Sequence, residues 1–369
     1  MRNITRTARN INMRSSKRNA ALVPFFESKG NTYDKEAFSN TRLLAATILT
    51  TGTIYAGKTV LTNYLESHLF KPKDRNHKPL ESPDKYGLDG EVKKLRTEDG
   101  DTIEIWHLKG QNGKPSVVFK HGNTGNLSYV SQDPKHQEEN TAFRIEYLKK
   151  LQARGVEAIA VSSRGFGNST GTPSEANFKR DAKAVADYLQ QQGISAEDTI
   201  ITGESLGTST ATILAEEMTS RGTPPAGLTL IAPFSSMRQQ ILESSAAPTF
   251  LVDMVLDHPL DTDKRLAHIA NTAKEKGLIP PHLLVISPSN DAIIHPRHGD
   301  DLIKTAKAND IPCMQQHQEA SHVNWDADEV IDASLELHEK QTKSFTWKER
   351  IAKSVGYSNT PPQNISRAN

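Results

Sequence analysis

A serine, an aspartate and a histidine follow one another along this chain in positions where their side chains could act as one nucleophilic group. Ser205 is the centre of the pentapeptide GESLG (203–207), which fits the pattern G-x-S-x-G. A β-rich run at 199–202 precedes it and a helical pattern follows from Thr208, which predicts a strained strand-to-helix turn. Such a turn projects the hydroxyl clear of the sheet, and the helix N-terminus favours negative charge beside it.

The serine needs a base, because a hydroxyl at its ordinary pKa is a weak nucleophile, and the base needs a third group to hold it. In turns of this type the partners follow in the order serine, acid, histidine. Asp291 comes after the apolar run LLVI (283–286), and His322 lies 31 residues further on. We therefore predict Asp291 as the acid and His322 as the base. The competing assignments are His317 for the base and Asp301 for the acid.

Negative charge on a tetrahedral intermediate also requires two backbone N–H donors that already point at it. Leu206, the residue after the serine, is predicted to supply one of them. The segment HGNTGN (121–126) is predicted to supply the other through Asn123, since its two glycines let the main chain turn toward the site. An ordinary glycine-rich turn is the alternative interpretation of this segment.

These residues need a framework, and the middle of the chain alternates between strand and helix patterns. An antiparallel hairpin is predicted first, with strands at 92–96 and 102–108 around EDGD (98–101). Further strands are predicted at 116–120, 158–161, 199–202, 228–231, 282–286 and 312–317, and helices at 144–154, 178–191 and 208–218. Apolar strands that alternate with amphipathic helices indicate an α/β fold with a mostly parallel sheet covered on both faces.

Five motifs occur in a fixed order: HGNTGN (121–126), SRGFGNSTGTPSE (163–175), GESLG (203–207), SNDAIIHPRHG (289–299) and SH (321–322). Together they resemble the α/β-hydrolase superfamily. The resemblance is greatest to small-capped serine hydrolases, often anchored by an N-terminal membrane segment, that carry HGNxGN and RGxGxSxGxPxE. It covers about residues 87–340 and implies a mostly parallel, twisted sheet flanked by helices, with the same nucleophile, acid and base.

The resemblance also implies structural roles in the loop beside the serine turn, for Arg164, Gly165, Gly167 and Ser169. The chain departs from the pattern at Ser163, where relatives usually carry an aromatic or acidic residue. It departs again at Ser321, where glycine more often precedes the histidine.

Both ends of the chain differ from the middle. We predict an N-terminal extension (1–86), a hydrolase domain (87–345) with a small cap at about 235–280, and a polar tail (346–369). The first 26 residues hold six basic residues and no acidic one, which is typical of a mitochondrial transit peptide, a membrane flank or a basic tail. Residues 43–65 are compatible with a membrane anchor or with a helix on the protein body, so both membrane-associated and cytoplasmic locations stay open.

Composition and other motifs exclude several classes. Lys and Arg number 45 against 44 Asp and Glu, which argues against a nucleic-acid partner bound by bulk charge. The single cysteine, Cys313, excludes an intramolecular disulfide, and no third ligand matches the spacing of His295 and His298, so no metal is predicted. GTIYAGKT (52–59) matches a phosphate-binding loop but leaves no room for the sheet such a loop needs, so no cofactor is predicted.

The expected substrate is a small molecule with an acyl group. The segment APTFLV (247–252) in the cap is apolar, which suits a carboxylic ester or thioester of a lipid-like acid, although these residues could equally pack the cap onto the sheet. The alternatives are a serine peptidase with the same triad and a non-catalytic binding or scaffold protein on the same fold. The sequence carries no signal for oligomeric state.

Overall fold

One mixed sheet of eight strands organises the protein, in the order β1-β2-β4-β3-β5-β6-β7-β8. The computed structural model describes residues 70, 80–123, 125–128, 143–244, 248–256 and 260–354. The strands are β1 (Gly90–Arg96), β2 (Thr102–Leu108), β3 (Ser116–Lys120), β4 (Glu157–Val161), β5 (Thr199–Glu204), β6 (Gly227–Ile231), β7 (His282–Pro288) and β8 (Cys313–Gln318). The helices are α1 (Phe143–Ala153), α2 (Glu175–Gln191), α3 (Leu206–Ser220), α4 (Met237–Ser244), α5 (Thr249–Val255), α6 (Thr262–Glu275), α7 (Arg297–Ala308) and α8 (Ala327–Ser354).

The predicted fold class is confirmed, and each predicted strand and helix lies where its pattern placed it. The largest difference is at the start of α2, three residues before the predicted start at 178. Ser174 explains it, because its hydroxyl accepts a hydrogen bond from the amide of Asn177 and caps the helix.

Strand direction brings the predicted site residues to one edge of the sheet. β1 and β2 form the predicted antiparallel hairpin, and β2 also pairs antiparallel with β4. The strands from β4 to β8 are parallel, with Lys120 opposite Gly203, and Glu204 opposite Ile231. Since the carboxyl ends of parallel strands share one edge, the loops that follow β3, β5, β7 and β8 lie there together.

The core lies on both faces of the sheet, as expected for parallel strands covered by helices. In β3 all five residues are buried. Val118 packs in the cluster that includes Val185 of α2, whereas Phe119 packs on the opposite face with Tyr147 of α1. Alternating side chains of one short strand therefore serve two apolar layers, which fixes the strand in register.

The segment between β6 and β7, where a cap of two short helices is predicted, contains three helices among its described residues. α4 and α5 are short, and Phe250 on α5 is 64% exposed. α6 packs instead against α3, where Ser209 and Thr262 share a hydrogen bond of 2.9 Å. The extra helix thus belongs to the layer that covers the sheet.

The predicted division of the chain at residues 86 and 345 stays a prediction. The last helix, α8, continues past residue 345 and ends at Ser354. In the part of the chain that the structure describes, no helix is both long enough and apolar enough for a bilayer crossing. The predicted anchor (43–65), the basic N-terminus and the phosphate-loop match (52–59) lie outside the described residues.

Candidate active site

Ser205 lies on the sharp turn between β5 and α3. Its backbone angles are φ 52° and ψ −120°, a strained conformation for a residue with a side chain. The flanking glycines allow it: a Cβ on Gly203 would lie 2.4 Å from the carbonyl oxygen of Gly207, and one on Gly207 would lie 2.1 Å from that of Lys120. The turn therefore needs glycine on both sides of the GESLG sequence, and the strain raises the serine side chain above the sheet edge.

Three side chains predicted to act together form one hydrogen-bonded chain. His322 Nε2 lies 2.9 Å from Ser205 Oγ, and His322 Nδ1 lies 2.7 Å from Asp291 Oδ2. The carboxylate of Asp291 accepts from Nδ1–H, which leaves Nε2 as the acceptor for the serine hydroxyl proton. Ser205 and His322 are each 9% exposed, so the hydroxyl and the imidazole are shielded from bulk water.

Asp291 is itself held in place by backbone groups. Its other carboxylate oxygen, Oδ1, accepts hydrogen bonds from the amides of Ile293 (2.8 Å) and Ile294 (2.9 Å). Its side chain is fully buried although the loop around it is exposed. The carboxylate therefore has a fixed direction, and so has the imidazole to which it is bonded.

The competing residues lie elsewhere. His317 is exposed on β8, and Asp301 on α7 pairs with Lys304 at 3.0 Å. His298 is buried, with Nδ1 3.0 Å from Ser235 Oγ and Nε2 3.2 Å from a carboxylate oxygen of Glu243. Neither His317 nor Asp301 approaches Ser205 through any of these contacts.

The loop after β3 runs directly beside the serine turn. Its first residue, His121, is 2% exposed, and burial with the nearby positive charge of Arg144 lowers its pKa to about 3. The neutral ring accepts a hydrogen bond from the amide of Ser163 at Nε2 (3.3 Å), so Nδ1 carries the proton and donates to the carbonyl oxygen of Gly122 (2.7 Å). Ser163, the departure from the family pattern, thus contributes a backbone group here.

Gly122 is required in this loop by the close approach of Glu204. A Cβ at residue 122 would lie 2.5 Å from Glu204 Oε1. The Gly122 amide donates to Glu204 Oε2 (3.0 Å), so it is occupied within the loop. Asn123 follows, partly buried, and Gly125 adopts a φ of 69° that favours glycine. The assignment of Asn123 and Leu206 as oxyanion donors stays a prediction, and for Leu206 it is supported by its place as the first residue of α3, where helix amides lack partners within the helix.

A buried ion pair supports this loop, and our interpretation of the sequence did not include it. Arg144 Nε donates to Glu204 Oε2 at 2.8 Å, and each side chain is only 1–2% exposed. Two sequence signals mark the pair. Glu204 ends an otherwise apolar strand, and Arg144 has the spacing of Leu148 and Leu151 on the buried face of α1. A charged residue on an apolar face needs a buried partner, but the sequence does not say which.

The loop beside the serine turn has its own arginine. Arg164 is fully buried and donates to Asp181 (Nε to Oδ1, 3.0 Å) and to Asp99 and Asp101 in the turn of the β1–β2 hairpin. Ser169 bridges two backbone groups, those of Glu104 and Ser162. Gly165 and Gly167 have φ values of 79° and 55°. The four residues thus have contacts consistent with the structural roles that the resemblance implies.

Comparisons with known proteins agree with this geometry. The sequence model of the family described as "Serine aminopeptidase, S33" matches residues 138–267. The lysophosphatidylserine lipase ABHD12 of Rattus norvegicus is 32% identical over 166 residues, which cover 40% of this chain and 38% of that protein. The protein ABHD12B of Homo sapiens is 29% identical over 163 residues, covering 39% of this chain and 41% of that protein. This chain therefore aligns with about two fifths of the length of these relatives.

Among solved structures, an alpha-beta hydrolase from Vibrio vulnificus superimposes with a TM-score of 0.58 at 21% sequence identity. The superposition covers 76% of this chain and 93% of that one. The strand order, the serine turn and this structural likeness define an α/β-hydrolase fold. With the matches in sequence, they show that the chain belongs to the α/β-hydrolase superfamily.

Proposed function

We propose that this protein is a serine hydrolase that cleaves an acyl ester or thioester through a covalent acyl-enzyme on Ser205. The observation that carries the proposal is the hydrogen-bonded chain from Ser205 through His322 to Asp291, built on a strained turn. A geometry of this kind activates a serine, because the base is within hydrogen-bonding distance and the third group fixes its tautomer.

The reaction follows from the positions of the protons. Ser205 Oγ attacks the carbonyl carbon while its proton passes to His322 Nε2, and the imidazolium is stabilised by Asp291. The oxyanion is bound by the amides of Leu206 and Asn123. His322 then protonates the leaving alcohol or thiol, the acyl group stays on Ser205, and a water molecule deprotonated by His322 hydrolyses it. This sequence of steps needs no group beyond the residues named.

A lipid-like acyl substrate is supported by two observations. Phe250, on a short helix of the segment between β6 and β7, exposes 64% of its surface, and Ile293, two residues after Asp291, exposes 57%. Large apolar side chains so exposed often mark binding surfaces. In addition, relatives at about 30% identity carry the name lysophosphatidylserine lipase.

The test is labelling by a fluorophosphonate probe, which reacts with activated serines. The wild-type protein should label, whereas Ser205→Ala and His322→Ala should not, with circular dichroism confirming that both variants are folded. Failure of the folded wild-type protein to label would contradict the proposal and would favour a binding or scaffold role.

Substrate class is then measured by kcat/KM on p-nitrophenyl esters from acetate to palmitate, on an acyl thioester and on monoacyl lysophosphatidylserine. We expect kcat/KM to rise with chain length. The family model that matches is described as an aminopeptidase family, so aminoacyl p-nitroanilides are assayed beside the esters. Faster turnover of the anilides than of every ester would favour the peptidase alternative.

A further inference from the structure

Glu204 and Arg144 are charged, nearly fully buried and absent from the proton transfers proposed above. Taking two charges out of water is unfavourable, and a buried ion pair adds little stability over a well-packed apolar pair. Apolar side chains would therefore satisfy the core at these two positions. The hydrogen bonds of the pair indicate a different role.

Both side chains bind the backbone of the loop that follows β3. Glu204 Oε2 accepts from the amide of Gly122 at 3.0 Å. Arg144 donates from Nη1 to the carbonyl oxygen of Asn126 at 2.7 Å and from Nη2 to that of Asn123 at 3.4 Å. The pair thus contacts the main chain of residues 121–126 at three points, and the 2.8 Å bond between the two side chains joins those points together.

These contacts lie on either side of the peptide group that carries the Asn123 N–H. A peptide group is planar, with its N–H and C=O directed oppositely, so the direction of one determines that of the other. The preceding peptide is held by Glu204 through the Gly122 amide, and the following peptide by Arg144 through the Asn123 carbonyl. The peptide between them has its own carbonyl, that of Gly122, held by His121.

We infer that Glu204 and Arg144 are positioning residues that set the direction of the Asn123 amide relative to Ser205, an inference that rests on the proposed hydrolase function. Glu204 directly precedes the nucleophile, so its carboxylate ties the loop to the turn that carries the reacting oxygen. The guanidinium of Arg144 adds the second attachment, which a lysine could not supply because an ammonium lacks the planar fork of donors. The pair acts on the rate of acyl transfer through a backbone N–H and touches no substrate itself.

The test compares Glu204→Gln, Arg144→Lys and a matched control, Glu216→Gln. Glu216 is also a glutamate paired with an arginine, Arg265, but it lies near the far end of α3. Three quantities are measured: the rate constant and amplitude of fluorophosphonate labelling, kcat and KM for p-nitrophenyl butyrate, and the inhibition constant of an acyl trifluoromethyl ketone. The ketone forms a tetrahedral oxyanion on the serine, so its affinity reports on the oxyanion donors.

We expect Glu204→Gln and Arg144→Lys to lower the labelling rate constant and kcat by about 10- to 100-fold, as small displacements of a catalytic group do. KM should change less than about twofold, and the ketone should bind about 10- to 100-fold more weakly, as expected when transition-state binding alone is lost. Glu216→Gln should match the wild type in all three quantities.

The labelling amplitude separates mispositioning from unfolding, because it counts folded sites while the rate constant reports on each site. Glu204→Gln removes a buried negative charge beside Arg144, so loss of amplitude is expected there, whereas Arg144→Lys keeps the charges paired and carries the test if Glu204→Gln does not fold. A wild-type rate constant and ketone affinity in the sites that remain folded would overturn the inference. Absence of labelling in the wild type would instead overturn the proposed function.

Discussion

The two sides of Ser205 are held by different parts of the molecule and in different ways. On one side, Asp291 and His322 contribute their own side chains, from loops after β7 and β8. On the other side, the loop at 121–126 contributes backbone groups, and the buried side chains of His121, Glu204 and Arg144 hold those groups in place. A change on the first side therefore removes a reacting group, whereas a change on the second side displaces an amide.

The largest expected effect lies on the side-chain half of the site. Asp291→Asn keeps the shape of the acid but favours the wrong tautomer of His322, because an amide nitrogen can donate toward Nδ1. Loss of an acid in this role lowers kcat by about 10⁴-fold in an analogous triad. We expect a loss of that order in kcat for p-nitrophenyl butyrate with little change in thermal stability. A loss below about tenfold would show that Asp291 does not orient the base.

A smaller effect is expected from Gly122→Ala on the backbone half. The added methyl would lie 2.5 Å from Glu204 Oε1, and Arg144 prevents that carboxylate from moving freely, so the loop must shift. We expect the labelling rate constant to fall about 10- to 100-fold. Gly227→Ala is the control, because its methyl would meet only ordinary contacts at 3.5 Å or more. Equal rate constants in the two variants would remove the distinction between the two halves.

Acid should affect the backbone half through His121. Its pKa is about 3 in the folded protein against 6.5 ordinarily, because burial disfavours the imidazolium. Between pH 6.5 and pH 3 the unfolded chain binds a proton that the folded protein does not, so stability falls as the pH is lowered through this window. The contribution of one such group is about 1.4 kcal/mol per pH unit.

The measurement is the free energy of unfolding in urea from pH 7 to pH 4, for the wild type and for His121→Asn. The difference between the two slopes isolates the histidine from the carboxylates that titrate in the same range. Identical slopes would mean that His121 takes up its proton at an ordinary pH and does not hold Gly122 as a neutral ring.

The smallest expected effect comes from Lys120, at the end of β3 just before this loop. Burial lowers the pKa of its ammonium to about 8 from 10.5, although the nearby charge of Asp181 opposes the shift. From pH 8 upward the folded protein loses this proton before the unfolded chain does, so stability rises with pH, by about 1 kcal/mol between pH 8 and pH 9. Lys120→Met should abolish the rise seen in urea unfolding, and the exposed control Lys114→Met should retain it.

The sequence by itself determined the elements and the order of the reacting groups. Alternation of apolar runs and amphipathic segments placed every strand within two residues of its observed ends, because burial on both faces leaves a strong pattern in short strands. The GESLG turn was evident because only glycine fits beside Ser205. Asp291 and His322 followed from chain order, since both come directly after strands.

The tertiary structure alone decided which charges meet. Glu204 and Arg144 are 60 residues apart, and Arg164 reaches back 63 to 65 residues to the hairpin turn. Periodicity marks such residues as misplaced on an apolar face but cannot name their partners, because the pairing depends on how helices and strands pack in space. The same holds for the layer to which α6 belongs, since its apolar face fits a cap and a sheet cover equally well until its contacts with α3 are known.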